Sequence, residues 1–557
     1  MFRGTQGNGR LVFMLMPLLG STLSCAAIDG PGGATADGSR YAGLLQLFED
    51  WRKFERPPML NGAPDYTAAR LTRAHSELAT YQARLNAIDP GGWSLEQQVD
   101  WHLVRAEING FDFNYRVLRP WERDPGFYQS VWTFESDTPA HEGPTHHAIL
   151  EWWTYSVPLS ATEEKRLIDE LRTIPPLLEQ ARTNLTGNAR DLWVGGIRTI
   201  RNQRRDLDSI AESVGDDAPR GLRDALRAAQ QATSDLAGWL EAEAPQKTGP
   251  SGIGEENYTW HLQNVHYVPM TWGDEVRLLK RELDRAWASL RLEEHRNRNV
   301  PPLVSIESEE EYDRRANETV TDYIRWLDEE DILPVPDYYD QALRERVGEF
   351  VPKESRNFFW TAVHFAPTTL WTHFYHYFDL ATIKERPHPS QVRRGPLLYN
   401  IWDSRAEGMA TGVEEMMMHA GLYDDNPHAR EIAWVMLAQR AARGLGSLYA
   451  HANMMTMQEA AEFHVKWTPR GWMRRDELLA FEQHLYLRQP GYGTSYVTGK
   501  YLIEQLMAER SKQTGDADFR LSGFYDEVNA AGVIPVSLIR WQLTGQDDAI
   551  RMIMQGH

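Results

Sequence analysis

Long runs of apolar residues at three- and four-residue steps constrain this chain more than any other feature, because that period belongs to an α-helix with one buried face. Over 66–90 the apolar set is Leu71, Leu78, Tyr81, Leu85 and Ile88; over 94–118 it is Val99, Leu103, Ile108 and Phe111. Similar patterns cover 161–184, 220–243 and 272–297. Thr271 followed by Asp274 predicts an N-terminal cap for the last of these, and Ser308 ahead of Glu309, Glu310 and Glu311 predicts another. Pro301-Pro302, Pro334 and Pro336 mark loops. Alternating patterns of period two are few and short, so the expectation is a mainly α protein with little β-structure.

Composition narrows the function classes. The 557 residues are 42% hydrophobic and 25% charged, which is ordinary for a soluble globular body with a large core. A net charge of -20 argues against nucleic acid as a partner, since phosphate binding needs clustered Lys and Arg. The first residues read as an export signal: Arg3 and Arg10, then the apolar stretch Leu11–Leu19, then the small and polar Ser21–Ala27. The apolar stretch is too short to span a bilayer. Cys25, the only cysteine, stands where a bacterial lipoprotein is cut and acylated, although Leu23 lies one position closer to it than that signal usually places its Leu. Cleavage near Ala26 or Ala27 without lipidation is the alternative. The expected organisation is a signal over 1–25, a flexible Gly/Ala-rich tether over 26–40 and one helical domain over 41–557. The chain holds 20 Trp, and the pair Trp152-Trp153 is read as core or cleft wall.

The chemistry-bearing residues concentrate late in the chain. Leu370-Trp371-Thr372-His373-Phe374-Tyr375-His376-Tyr377 is followed by Ala406-Glu407-Gly408-Met409-Ala410 and Glu414, by Arg440, Arg443 and His451, and by Pro490-Gly491-Tyr492-Gly493-Thr494-Ser495-Tyr496. In that order and spacing the sequence from about residue 355 resembles the bacterial domain of unknown function 885 family, weakly extended upstream through Gly254-Glu255-Glu256-Asn257-Tyr258. Members of that family look related to gluzincin-type zinc peptidases, with the hallmark His-Glu-x-x-Pro-Gly-His-His followed by Glu-Gly-Trp-Ala-x-Tyr-x-Glu. The resemblance implies a large helical body with a deep central cleft and a zinc ion held by three protein ligands.

This chain departs from the hallmark at its polar positions. His376 falls on the first His of the His-His pair, Leu370 on the leading His and Trp371 on the catalytic Glu. Glu407 and Glu414 match the two acids of the second motif, whereas Ser447, Leu485, Tyr492 and Tyr525 replace an Asp, an Arg, a Gln and a His. Gly408, Pro490, Gly491, Gly499 and Pro535 keep the framework. Framework kept and chemistry lost is the pattern of a pseudoenzyme, and equally of a relocated site. His373 and His376, spaced to share one helical face, could join Glu407 in a rebuilt metal site, with His364 or His451 as supplements. The same spacing also fits two hydrogen-bonded histidines packed among aromatics. His141-Glu142-Gly143-Pro144-Thr145-His146-His147 mimics the lost motif far upstream, but Pro144 breaks the helix such a motif needs, and a loop is expected there.

The resulting expectation is an exported, diverged zinc-peptidase-like protein, periplasmic or an outer-membrane lipoprotein. If active, it would hydrolyse a peptide or related amide, with zinc on His376, Glu407 and His373, support from Glu414 and His451, and Tyr496 stabilising an oxyanion. No general base is apparent. The competing expectation is a non-catalytic binding protein holding a peptide or small apolar ligand in a cleft lined by Trp371, Phe374, Tyr375 and Tyr377.

Overall fold

Side-chain caps set several of the helix starts. Ser160 accepts from the Glu163 amide while Glu163 returns a bond to the Ser160 amide, and Ala161–Asn184 begins there. The same reciprocal pair, Thr271 with Asp274, opens Trp272–Arg296, and Ser308 caps Glu309–Glu329 through the Glu311 amide. The computed structural model describes residues 36–139, 149–515 and 517–555, and over these the protein is mainly helical. Two two-stranded sheets are the β-structure among the described residues. Met59–Leu60 pairs antiparallel with Ala63–Pro64 across Asn61 and Gly62, whose positive φ of 52° and 89° suit a tight hairpin turn. Val131–Trp132 pairs in parallel with Leu150–Glu151. Cys25 and 141–147 lie outside the described residues.

Periodicity located the amphipathic helices well. Arg220–Glu243 and Ala161–Asn184 occupy the predicted ranges, and Ala68–Asn86 lies inside 66–90. The 94–118 run is Leu95–Phe113 continued by a π-helical turn, Asn114–Leu118. Helix Ala36–Phe54 starts inside the stretch read as tether. Trp152 and Trp153 are half-buried, and Trp152 stacks on Tyr155.

The buried apolar side chains form two main clusters. The smaller gathers Leu167, Leu171 and Ile174 with Trp193, Ile200 and Leu207 and with Leu222, Leu226 and Leu236, uniting Ala161–Asn184, Arg190–Val214 and Arg220–Glu243. The larger surrounds Pro427–His451, a helix buried on nearly every side by Trp272–Arg296 and Tyr492–Thr514 among others. A helix so placed carries no solvent-facing stripe, and its polar residues Arg440 and Arg443 must find buried partners. Beside it, Asp403–His419 runs against Tyr492–Thr514 with Gly408 facing Gly499. A Cβ on Gly499 would stand 2.1 Å from the Ser404 carbonyl oxygen, so the two backbones touch there. Among the described residues no helix is long and apolar enough to cross a membrane.

Candidate metal centre

Five segments deliver the site. Helix Thr368–Trp371 ends at Thr372, and Tyr375–Glu385 begins after one tight turn, in which the Tyr375 amide donates to Thr372 O at 3.2 Å. His373 and His376 therefore do not share one continuous helix, but the turn still brings their rings to 5.1 Å, edge to face. Asp403–His419 presents Glu407 and, two turns on, Glu414. Pro427–His451 presents Arg440 and Arg443, and Tyr492–Thr514 presents Tyr492 and Tyr496.

His373, His376 and Glu407 offer ligand atoms that all lie within 4.8 Å of one another, and all three residues are buried. His376 Nε2 is 3.1 Å from Glu407 Oε2, and the Tyr492 hydroxyl donates to Glu407 Oε1 at 2.6 Å. Burial opposes charge on both partners, but their mutual attraction prevails. His376 is lifted to about 9, with Asp137 and Asp379 helping, and Glu407 is held down at about 2. His373 Nδ1 lies 3.1 Å from Glu414 Oε1. Burial, then Arg440 and His376, push His373 well below its ordinary value, so it is neutral.

Behind these donors stand two guanidinium–carboxylate pairs. Arg440 grips Glu414 through two bonds of 2.8 and 2.6 Å and approaches His373 Nδ1 at 3.1 Å. Burial raises Glu414 to about 7 despite Arg440 and Arg443. Arg443 donates to Glu482 at 2.6 Å and lies 3.9 Å over the Tyr496 ring. Tyr496 stacks near His373 at 6.4 Å, and burial followed by Glu407 keeps its hydroxyl protonated.

Other sequence candidates sit elsewhere. His451 Nε2 contacts the Tyr486 carbonyl at 2.9 Å and its ring packs on Tyr258, so it is not among the clustered donors. Both nitrogens of His364 are taken by backbone, Trp360 O at 2.7 Å and the Val351 amide at 3.2 Å. Leu370 and Trp371 are core residues, Trp371 lying against Phe374. Tyr375 is buried with its hydroxyl on Asn529, and Tyr377 lies under Arg346. These aromatics are at most 8% exposed and pack into the interior.

One residue that sequence reasoning missed is Asp137. It lies on the segment that leaves strand Val131–Trp132, anchored by the Glu135–Arg346 ion pair at 2.5 Å beside Tyr377. Burial raises the Asp137 carboxyl, and the charges acting most on it are those of His376 and Glu407. It stands far upstream of the motif region, so no local pattern could have nominated it.

Residues 369–543 match the model of a family described as "Bacterial protein of unknown function (DUF885)". The fold is similar to two solved bacterial structures. One, from Shewanella oneidensis, is described as "a putative lipoprotein of unknown function"; it shares 17% identity at a TM-score of 0.64, covering 93% of this chain and 100% of that one. The other, a "putative lipoprotein" from Colwellia psychrerythraea, shares 12% identity at a TM-score of 0.58, covering 93% and 99%. No curated protein matches the chain in sequence.

Proposed function

We propose that the protein is a metal-dependent hydrolase of peptides or related amides, with a divalent ion, zinc by donor chemistry, held by His373, His376 and Glu407. The carrying observation is the mutual approach of the three donors within 4.8 Å, a two-nitrogen, one-oxygen set of the kind catalytic zinc sites use. The surroundings fit as well. Tyr492 orients Glu407, and His373 is held neutral, the form a metal ligand needs. The nearby guanidiniums are each paired with a carboxylate, Arg440 with Glu414 and Arg443 with Glu482.

The ion would supply Lewis-acid polarisation of the scissile carbonyl. The chain's own groups supply the rest. Tyr496 keeps its proton and would donate to a developing oxyanion, and Asp137, on which the charges of His376 and Glu407 act most, is our candidate for the proton acceptor that Trp371 cannot be. Elemental mass spectrometry of the dialysed protein tests the reading. About one zinc per chain is expected, the stoichiometry of a single site; a chain that stays metal-free after zinc is added defeats it.

A second reading is favoured by the direct 3.1 Å contact of His376 with Glu407, which satisfies both groups without metal. On that reading the fold is kept as a non-catalytic binding protein. A metal-free protein that still binds peptides would establish it.

The export signal and the lipoprotein descriptions of the two similar structures support placement in the periplasm, tethered through Cys25. Cys25→Ala is expected to move the protein from the membrane to the soluble periplasmic fraction. An unchanged distribution would exclude lipidation at that residue.

A further inference from the structure

Three methionines crowd the short turn that links Pro427–His451 to the next helix, Met457–Trp467. They are Met454, Met455 and Met457. At ~3.8 Å per residue the first and last of their Cα atoms are at most ~11 Å apart. Met454 is 58% exposed, and Met455 and Met457 are half-buried. One exposed methionine needs no explanation, but three in four residues gather soft, polarisable donors at one point of the surface. The other exposed methionines among the described residues do not gather. Met59 stands alone in its hairpin, and Met552 and Met554, two residues apart on the last helix, do not face each other.

Backbone bonds hold this turn at both ends. The Met454 and Met455 amides both donate to the Tyr449 carbonyl, at 2.9 and 3.2 Å. Asn453 takes a left-handed φ of 57°, which asparagine tolerates better than most residues, and its Oδ1 accepts from the Gly252 amide at 3.0 Å. At the other end the Met457 amide donates to Asp191 Oδ2 at 2.8 Å, and Thr456 with Glu459 closes a capping box. The thioethers are thus presented from a shaped segment, and binding an ion there would order side chains rather than backbone.

Thioether sulfur is a neutral, soft donor. Zinc takes thiolate, imidazole and carboxylate instead, whereas thioethers select copper(I). We propose that the turn binds a soft monovalent cation, copper(I), through the sulfurs of Met454, Met455 and Met457. The net charge of -20 favours the approach of any cation to this protein. The ion enters and leaves as copper(I), with no change of oxidation state. The site uses none of the residues of the His373, His376 and Glu407 centre and does not rest on the hydrolase reading.

Silver(I), a soft ion of the same charge that does not oxidise in air, is the probe. The protein carries Cys25→Ala, which removes its only thiol, and its 17 methionines are isotopically labelled at the methyl carbon. Silver is expected to shift three methyl resonances, saturating at about one ion per chain, as a single thioether site requires. Met454→Leu, Met455→Leu and Met457→Leu should each lack one of those three signals. Leucine replaces methionine at similar volume, so the triple variant should unfold like the parent while silver affinity falls about tenfold or more. Should the triple variant not fold, the single variants carry the test, each weakening silver. The parent should also withdraw copper(I) from the chelator bathocuproine disulfonate better than the leucine variants do. Silver that shifts no methyl signal, or shifts others than these three, overturns the proposal. Unchanged silver affinity in folded leucine variants, or equal competition for copper(I), overturns it too.

Discussion

His376→Ala and Glu407→Ala are each expected to abolish the stoichiometric zinc binding proposed for this site, read by elemental mass spectrometry after dialysis. Three donors are the minimum that a catalytic zinc site of this kind uses, so removing one leaves two and the ion is lost on dialysis. Glu407 carries the larger share, because it is the only anionic donor of the three and already attracts His376 at 3.1 Å. Its removal also leaves His376, now without its partner, to revert toward a neutral ring under the burial that opposes its charge. Tyr492→Phe is a graded control. The 2.6 Å bond that fixes Glu407 Oε1 disappears while the ligands stay, and zinc affinity should fall roughly 10–100-fold, as for other supporting groups. Asp137→Asn should keep the zinc and lose hydrolysis of a peptide library. Zinc retained in both alanine variants would refute the assignment of the ligands.

Much of the frame was legible because amphipathic helices announce themselves. Ala161–Asn184 and Arg220–Glu243 have one buried stripe each and clean boundaries. Pro427–His451 and Asp403–His419 do not, since burial on all sides removes the contrast that periodicity depends on. At the site, His373, His376 and Glu407 could be nominated from residue type and order, and the fold brings them together. What spacing could not supply was the partner of each ring. His451 lies on the same helix as Arg440, yet its nitrogen meets a backbone carbonyl. Trp371 adjoins the motif, yet it packs inward. Asp137 feels the charges of His376 and Glu407 from a segment more than two hundred residues upstream, invisible to any window read along the chain.

The same packing makes Gly499→Ala the most damaging small substitution expected outside the donors. The new Cβ would meet the Ser404 carbonyl oxygen at 2.1 Å and the Gly408 Cα at 2.7 Å, both rigid backbone atoms of a buried helix. No rotamer change can relieve that contact, so Asp403–His419 and Tyr492–Thr514 must separate along their length. Overpacking of this type costs about 1–3 kcal/mol and more where backbone must move, so the midpoint of chemical denaturation should fall clearly. The consequence reaches the chemistry, because one of these helices carries Glu407 and the other Tyr492 and Tyr496. Separation lengthens the Tyr492–Glu407 bond, so zinc affinity should fall together with stability. Gly515→Ala on the same polypeptide is the contrast: its added Cβ has open space around it, and only its φ of 88° resists. That variant should lose some stability from backbone strain and leave zinc affinity unchanged. Equal zinc affinity in Gly499→Ala and the parent protein would mean that the close helix crossing does not position the site.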